Sequence, residues 1–152
     1  MMPKAGDTAP DFSATTDTGE TLDLKSLKGK NVVLFFYPKD DTPGCTIEAC
    51  SFRDDFPEFG KLNAVILGVS KDSAKSHQKF KTKYKLPYTL LSDPEHVVAD
   101  AYGVWGEKKF MGRTFMGMTR STFVIGANGK ILKVFEKVTP MGHGEEVAAV
   151  LR

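Results

Sequence analysis

The sequence predicts an α/β domain built on a mixed central sheet. Three observations carry this. Two apolar runs of strand length, Asn31 to Tyr37 and Ala64 to Val69, are hydrophobic on both faces, as strands covered on both sides must be. Each is followed by a segment with helical character, an alternation that suits parallel pairing through crossover helices. A later pair of strands around Ala127-Asn128-Gly129 reads as a hairpin, which adds antiparallel pairing.

The elements follow in order. Phe12 to Thr16 and Thr21 to Leu24 flank Asp17-Thr18-Gly19-Glu20, a short hairpin with Gly19 at the turn. Pro38 ends the first buried strand. Thr42 is an N-cap candidate and Pro43 suits the first position of a helix running to about Asp55, with Pro57 just beyond it. Ser73 to Tyr84 is a polar amphipathic helix with Phe80 and Tyr84 four apart. Thr89 to Leu91 is a short strand, and Ser92-Asp93-Pro94 caps a helix from about Glu95 to Tyr102. Ser121 to Ile125 and Lys130 to Lys137 form the late hairpin, and Glu145 to Leu151 closes the chain as a helix. With no internal repeat and no low-complexity linker, residues 1–152 read as one domain. The order suits a thioredoxin-like fold with helices flanking the sheet and an N-terminal β-hairpin extension.

Composition narrows the function classes. The chain has 152 residues, 41% apolar and 26% charged, with 21 basic and 19 acidic side chains and a formal charge of +2. So small an excess gives no electrostatic case for nucleic acid or for an anionic membrane. No apolar run approaches the roughly 20 residues that span a bilayer. Residues 1–16 contain Lys4 as their one cation and no signal-like apolar core, so the expected location is the cytoplasm. Two cysteines five residues apart are too few for a stapled secreted scaffold and point instead to a paired function.

Those cysteines lie in Pro38-Lys39-Asp40-Asp41-Thr42-Pro43-Gly44-Cys45-Thr46-Ile47-Glu48-Ala49-Cys50. Cys45 falls in the first turn of a helix that follows a buried strand. Unpaired backbone N–H groups and the positive end of the helix dipole favour a thiolate there, and the thiolate is the nucleophile. Gly44 removes side-chain bulk where a substrate would approach, Pro38 and Pro43 restrict the backbone, and the Thr42 hydroxyl can donate or accept near the sulfur.

This segment resembles the peroxiredoxins, whose motif P-x-x-x-T-x-x-C is met in register by Pro38, Thr42 and Cys45. The fuller Thr-Pro-Gly-Cys-Thr, with a second cysteine five residues on, is similar to the bacterioferritin comigratory protein or Q-type subfamily. The resemblance covers essentially the whole chain. It includes Phe-Tyr-Pro-Lys-Asp at 36–40, Leu-Leu-Ser-Asp-Pro at 90–94, Tyr-Gly-Val-Trp-Gly at 102–106 and Arg-Ser-Thr-Phe at 120–123. It implies that Cys45 is the peroxidatic and Cys50 the resolving cysteine, that Arg120 supports thiolate and peroxide, and that Glu48 helps to hold Arg120. It also implies a peroxide substrate and a thioredoxin reductant, with glutaredoxin as the alternative. A monomer is expected, with no metal, haem, flavin or nicotinamide.

Other readings of the same residues are weighed against this. Two cysteines without their setting would be ordinary buried side chains, and an acid such as Glu48 stabilises a first helical turn without any further role. A thioredoxin-like disulfide reductase would use Cys-x-x-Cys and a proline just before the strand after its active site, whereas four residues separate Cys45 from Cys50 and Met118 to Ile125 holds no proline. A Cys–His hydrolase lacks a histidine in any supporting motif, because His77, His96 and His143 are scattered in polar contexts and read as surface residues without zinc spacing. A redox sensor or holdase would oxidise once without turnover. Lys108-Lys109 reads as part of a solvated loop, and Met111 to Met118 as a mobile apolar loop.

In an ideal helix residues five apart have Cα atoms roughly 9 Å apart, and disulfides rarely tolerate more than about 7 Å. A Cys45–Cys50 disulfide therefore requires the helix from Pro43 to about Arg53 to unwind.

Overall fold

The computed structural model describes residues 2–152. Seven strands form one mixed sheet in the order β2-β1-β5-β4-β3-β8-β9. They are β1 (Ser13–Thr16), β2 (Thr21–Asp23), β3 (Asn31–Phe36), β4 (Ala64–Ser70), β5 (Thr89–Ser92), β8 (Ser121–Ile125) and β9 (Ile131–Phe135). β3, β4 and β5 run parallel, while β8 lies antiparallel to β3 and β1 antiparallel to β5. The remaining strands, β6 (Trp105–Phe110) and β7 (Arg113–Met118), form a separate two-stranded sheet. The helices are α1 (Pro43–Asp54), α2 (Phe56–Lys61), α3 (Ala74–Tyr84), α4 (Val97–Ala101) and α5 (His143–Leu151).

The strand period of two divides β3 between two cores. Val32, Leu34 and Phe36 join Leu67, Val69, Tyr102 and Phe123 on one face, with α4 packed there. Val33, Phe35 and Tyr37 join Phe52, Phe59, Phe80 and Val147 on the other, beneath α1, α2, α3 and α5. Phe52 stacks on Phe35 at 4.7 Å between centroids, which seats α1 on the sheet. Caps follow the local sequence. Ser73 accepts from the Ser76 N–H at the start of α3, and both Asp93 oxygens accept from the Val98 and Ala99 amides at the start of α4.

Three expectations are corrected. Met111 to Met118 is not a loop: the segment turns at Met111-Gly112 and returns as β7, paired residue for residue with β6. Both residues of that turn have positive φ, 51° and 78°, the geometry that two-residue hairpins favour. Lys108 and Lys109 accordingly sit on β6. Pro57 lies just beyond α1 as expected, in the first turn of the short helix α2, where its missing N–H costs nothing. Finally, His77 and His143 are fully buried. Each lies on the apolar stripe of its helix, His77 three before Phe80 and seven before Tyr84, His143 four before Val147. His96 is partly exposed and stacks on Trp105 at 4.3 Å.

Candidate active site

The site lies at the C-terminal end of β3. Thr42 is extended (φ −98°, ψ 157°) and Pro43 opens α1, so Cys45 is the third residue of the helix, among the backbone N–H groups that lack an intrahelical acceptor. Thr42 occupies the N-cap position without capping: its hydroxyl donates to the Lys39 carbonyl oxygen at 2.9 Å, bracing the turn before the helix. Pro38 is exposed and lines a recess with Trp105, Lys108, Phe115, Met116 and Met118.

β8 brings Arg120, at its threshold, to α1. Arg120 Nη1 donates to Glu48 Oε1 at 2.8 Å, and Nη2 stands 3.4 Å from Cys45 Sγ. Cys45 and Glu48 are both buried. Gly44 also lies against Arg120: a Cβ there would stand 3.1 Å from Nη2, so a side chain would crowd the guanidinium that approaches the sulfur. Burial pushes the Glu48 carboxyl up to about 7, against the hydrogen bond and charge of Arg120, and its Oε2 has no partner among the described residues.

Cys50 is half-buried five residues further along the same unbroken helix, and both cysteines are free thiols. Burial raises the Cys50 pKa, Arg53 opposes the shift and Asp54 adds to it, so this thiol keeps its proton in the helical state. The carbonyl of Ala49 accepts from the Tyr88 hydroxyl at 2.7 Å, and Ser51 Oγ accepts from the Gly144 N–H at 2.6 Å. These contacts tie the middle of α1 to the residue before β5 and to α5.

The structure thus brings Cys45, Arg120, Glu48 and Gly44 into contact, braces them through Thr42, and sets Pro38 at the rim. Lys108 is the residue sequence reasoning passed over. It lines the recess with Pro38 and also a neighbouring one with Arg120 and Lys137. Its Nζ donates to the Met118 carbonyl at 2.8 Å, and burial and then the charge of Arg120 lower its pKa, with Cys45 opposing. Recognising the hairpin would have been the signal, because pairing of β6 with β7 sets Lys108 on a strand, opposite Phe115. The described residues hold no helix long and apolar enough to cross a membrane.

Comparison with known proteins identifies the family. The AhpC/TSA family profile matches residues 5–134. A putative peroxiredoxin Bcp of Coxiella burnetii is 51% identical, covering 99% of this chain and 100% of the relative. Peroxiredoxin Bcp of Bacillus subtilis is 49% identical, covering 100% and 97%. Among solved structures, a cysteine mutant of Xylella fastidiosa PrxQ superposes with a TM-score of 0.93 at 35% identity, covering 99% of this chain and 96% of that one. The Xanthomonas campestris bacterioferritin comigratory protein, described in connection with alkyl peroxide reduction, gives 0.89 at 36% identity over 99% and 96%. The chain belongs to the AhpC/TSA family, and it is a peroxiredoxin, an enzyme that reduces peroxides at the expense of a thiol reductant.

Proposed function

We propose that Cys45 is the peroxidatic cysteine and Cys50 its resolving partner, and that residues 1–152 work as one catalytic domain. The observation that carries the reading is the guanidinium of Arg120 reaching both Cys45 Sγ and Glu48.

The Cys45 thiolate attacks one oxygen of the hydroperoxide. The O–O bond breaks, its electron pair leaves on the distal oxygen, and a proton completes water or an alcohol. The sulfur is left two electrons more oxidised, as sulfenic acid. Charge moves from sulfur to the departing oxygen, and a fixed guanidinium can follow it without reorganising. Glu48 holds that fork in plane, Gly44 admits it, and Thr42 and Pro38 fix the loop in front of the helix. The Cys50 thiol then displaces hydroxide from the sulfenic sulfur, giving the disulfide and water. α1 must unwind first, because an intact helix keeps the two Cα atoms roughly 9 Å apart. A dithiol restores both thiols in two exchange steps.

Thioredoxin is the proposed dithiol, with glutaredoxin as the alternative, and hydrogen peroxide and organic hydroperoxides are the proposed substrates. The enzyme acts as a monomer in the cytoplasm, a compartment whose reducing poise fits a chain that uses its two cysteines catalytically. Peroxide consumption coupled to a thioredoxin system tests the reading. Cys45→Ser abolishes turnover, and Cys50→Ser oxidises once and then recycles poorly. Undiminished turnover by Cys45→Ser contradicts it.

A further inference from the structure

Helix α3 grips the loop in front of the reactive cysteine, and the grip centres on a buried histidine that the reaction above does not use. His77 has no exposed surface. Its Nδ1 stands 2.8 Å from Asp40 Oδ2, and its Nε2 stands 2.9 Å from the Leu91 carbonyl oxygen. A carbonyl only accepts, so Nε2 carries a hydrogen. Nδ1 is thus the ring nitrogen that faces the Asp40 carboxyl. Asp40 also accepts from the Tyr37 hydroxyl at 2.6 Å and the Ser76 hydroxyl at 2.8 Å, and its own N–H donates to Asp72 Oδ2 at 2.8 Å.

The next residue is held from the same helix. Asp41 has φ 57°, in the left-handed region that side chains disfavour. Its carboxylate accepts from Lys83 Nζ at 2.8 Å and from the Tyr84 hydroxyl at 2.7 Å. Ser76 and Lys83, like His77 and Tyr84, are seven apart, which places all four on one face of α3. Four side chains of one helix thus fix two consecutive residues. Thr42 comes next, its carbonyl accepting from the Thr46 N–H at 2.9 Å in the first turn of α1, and Cys45 lies within that turn.

We infer that His77 is a positioning residue for Cys45: its Nδ1 bond to Asp40 fixes the loop over residues 38–42, and the loop fixes the first turn of α1 that sets the sulfur against Arg120. The inference rests on the assignment of Cys45 as the residue that peroxide oxidises. A histidine that merely fills the core would act through its volume and through both nitrogens alike. A positioning histidine acts through Nδ1.

Asparagine places its amide nitrogen near the Nδ1 position, and glutamine places its own near Nε2. The experiment measures the rate constant for Cys45 oxidation by hydrogen peroxide, using quenched alkylation and intact mass, together with urea stability. His77→Gln lowers the rate constant about tenfold, the scale of one lost hydrogen bond to a charged group. His77→Asn recovers about fivefold of that loss, although it gives up the Leu91 bond. Equal losses in both variants that track their stability overturn the inference, as does an unchanged rate in His77→Gln. If neither variant folds, Ser76→Ala decides. This half-exposed substitution removes another donor from Asp40, and it lowers the rate about threefold if the inference holds and not at all if it fails. Persistent oxidation in Cys45→Ser at the wild-type rate would overturn the cysteine assignment as well, a result distinct from the others.

Discussion

Arg120 holds Nη2 3.4 Å from Cys45 Sγ while its Nη1 donates to Glu48 Oε1 at 2.8 Å. One planar group is thereby aimed at the sulfur by a carboxylate on the same helix, three residues further on. An ammonium on a flexible stem has no such plane and cannot engage both partners in this geometry. Arg120→Lys should lower the rate constant for Cys45 oxidation about a hundredfold while keeping the positive charge. Competition with a peroxide-consuming reporter measures this, and a loss under about threefold would mean that charge alone suffices.

Gly44→Ala tests the close approach of Arg120 directly. The added methyl would sit 3.1 Å from Nη2, tighter than an ordinary contact, so the guanidinium must move by a few tenths of an ångström. Peroxide oxidation should slow about tenfold, with stability changed by about 1 kcal/mol or less. A large loss of stability with an unchanged rate would assign Gly44 to packing instead.

Glu48 gives the protein a pH signature. Burial raises its folded-state pKa from 4.5 to about 7, so the folded state binds this proton more tightly than the unfolded chain does. Its contribution to stability is fully present below about pH 4.5 and is lost as pH rises toward 7, by an amount on the order of 1–3 kcal/mol. Urea denaturation across this window should show wild type losing stability relative to Glu48→Gln as pH rises. Parallel curves would show that Arg120 holds the carboxylate ionised throughout.

Unwinding of α1 should be visible in backbone hydrogen exchange. In the reduced protein Phe52 anchors the helix on Phe35, and Tyr88 and Gly144 hold Ala49 and Ser51. In the disulfide form the amides of residues 44–53 should lose protection while those of β3 and β4 keep theirs. Protection retained through both cysteines would exclude the mechanism of resolution set out above.

Much of this was legible in the sequence because local rules and tertiary packing agree there. Asn31 to Tyr37 and Ala64 to Val69 are apolar on both faces and became the central strands, and Pro43 marks the start of α1 as its missing N–H predicts, although Thr42 turns its hydroxyl to Lys39 instead of capping. Cys45 and Arg120, 75 residues apart, were paired only through family resemblance, since no local signal joins α1 to β8. The histidines were misjudged from polar neighbours, Lys75, Ser76 and Gln78 around His77, although helical spacing sets His77 on the stripe of Phe80 and Tyr84. The hairpin of β6 and β7 was hidden by its composition, because glycine and methionine at Gly112, Met116, Gly117 and Met118 have no strong strand preference. The closeness of Gly44 to Arg120 had no local signal, because the two are brought together only by the fold.

The most direct test is a single turnover followed by intact-mass and peptide mass spectrometry, using equimolar hydrogen peroxide and no reductant. Wild type should lose two hydrogens in mass, with Cys45 and Cys50 linked in one disulfide, and Cys50→Ser should carry a sulfenic acid on Cys45 that dimedone traps. Sulfenic acid on Cys50, or a wild-type protein that keeps Cys45 reduced while peroxide is consumed, would contradict this reading.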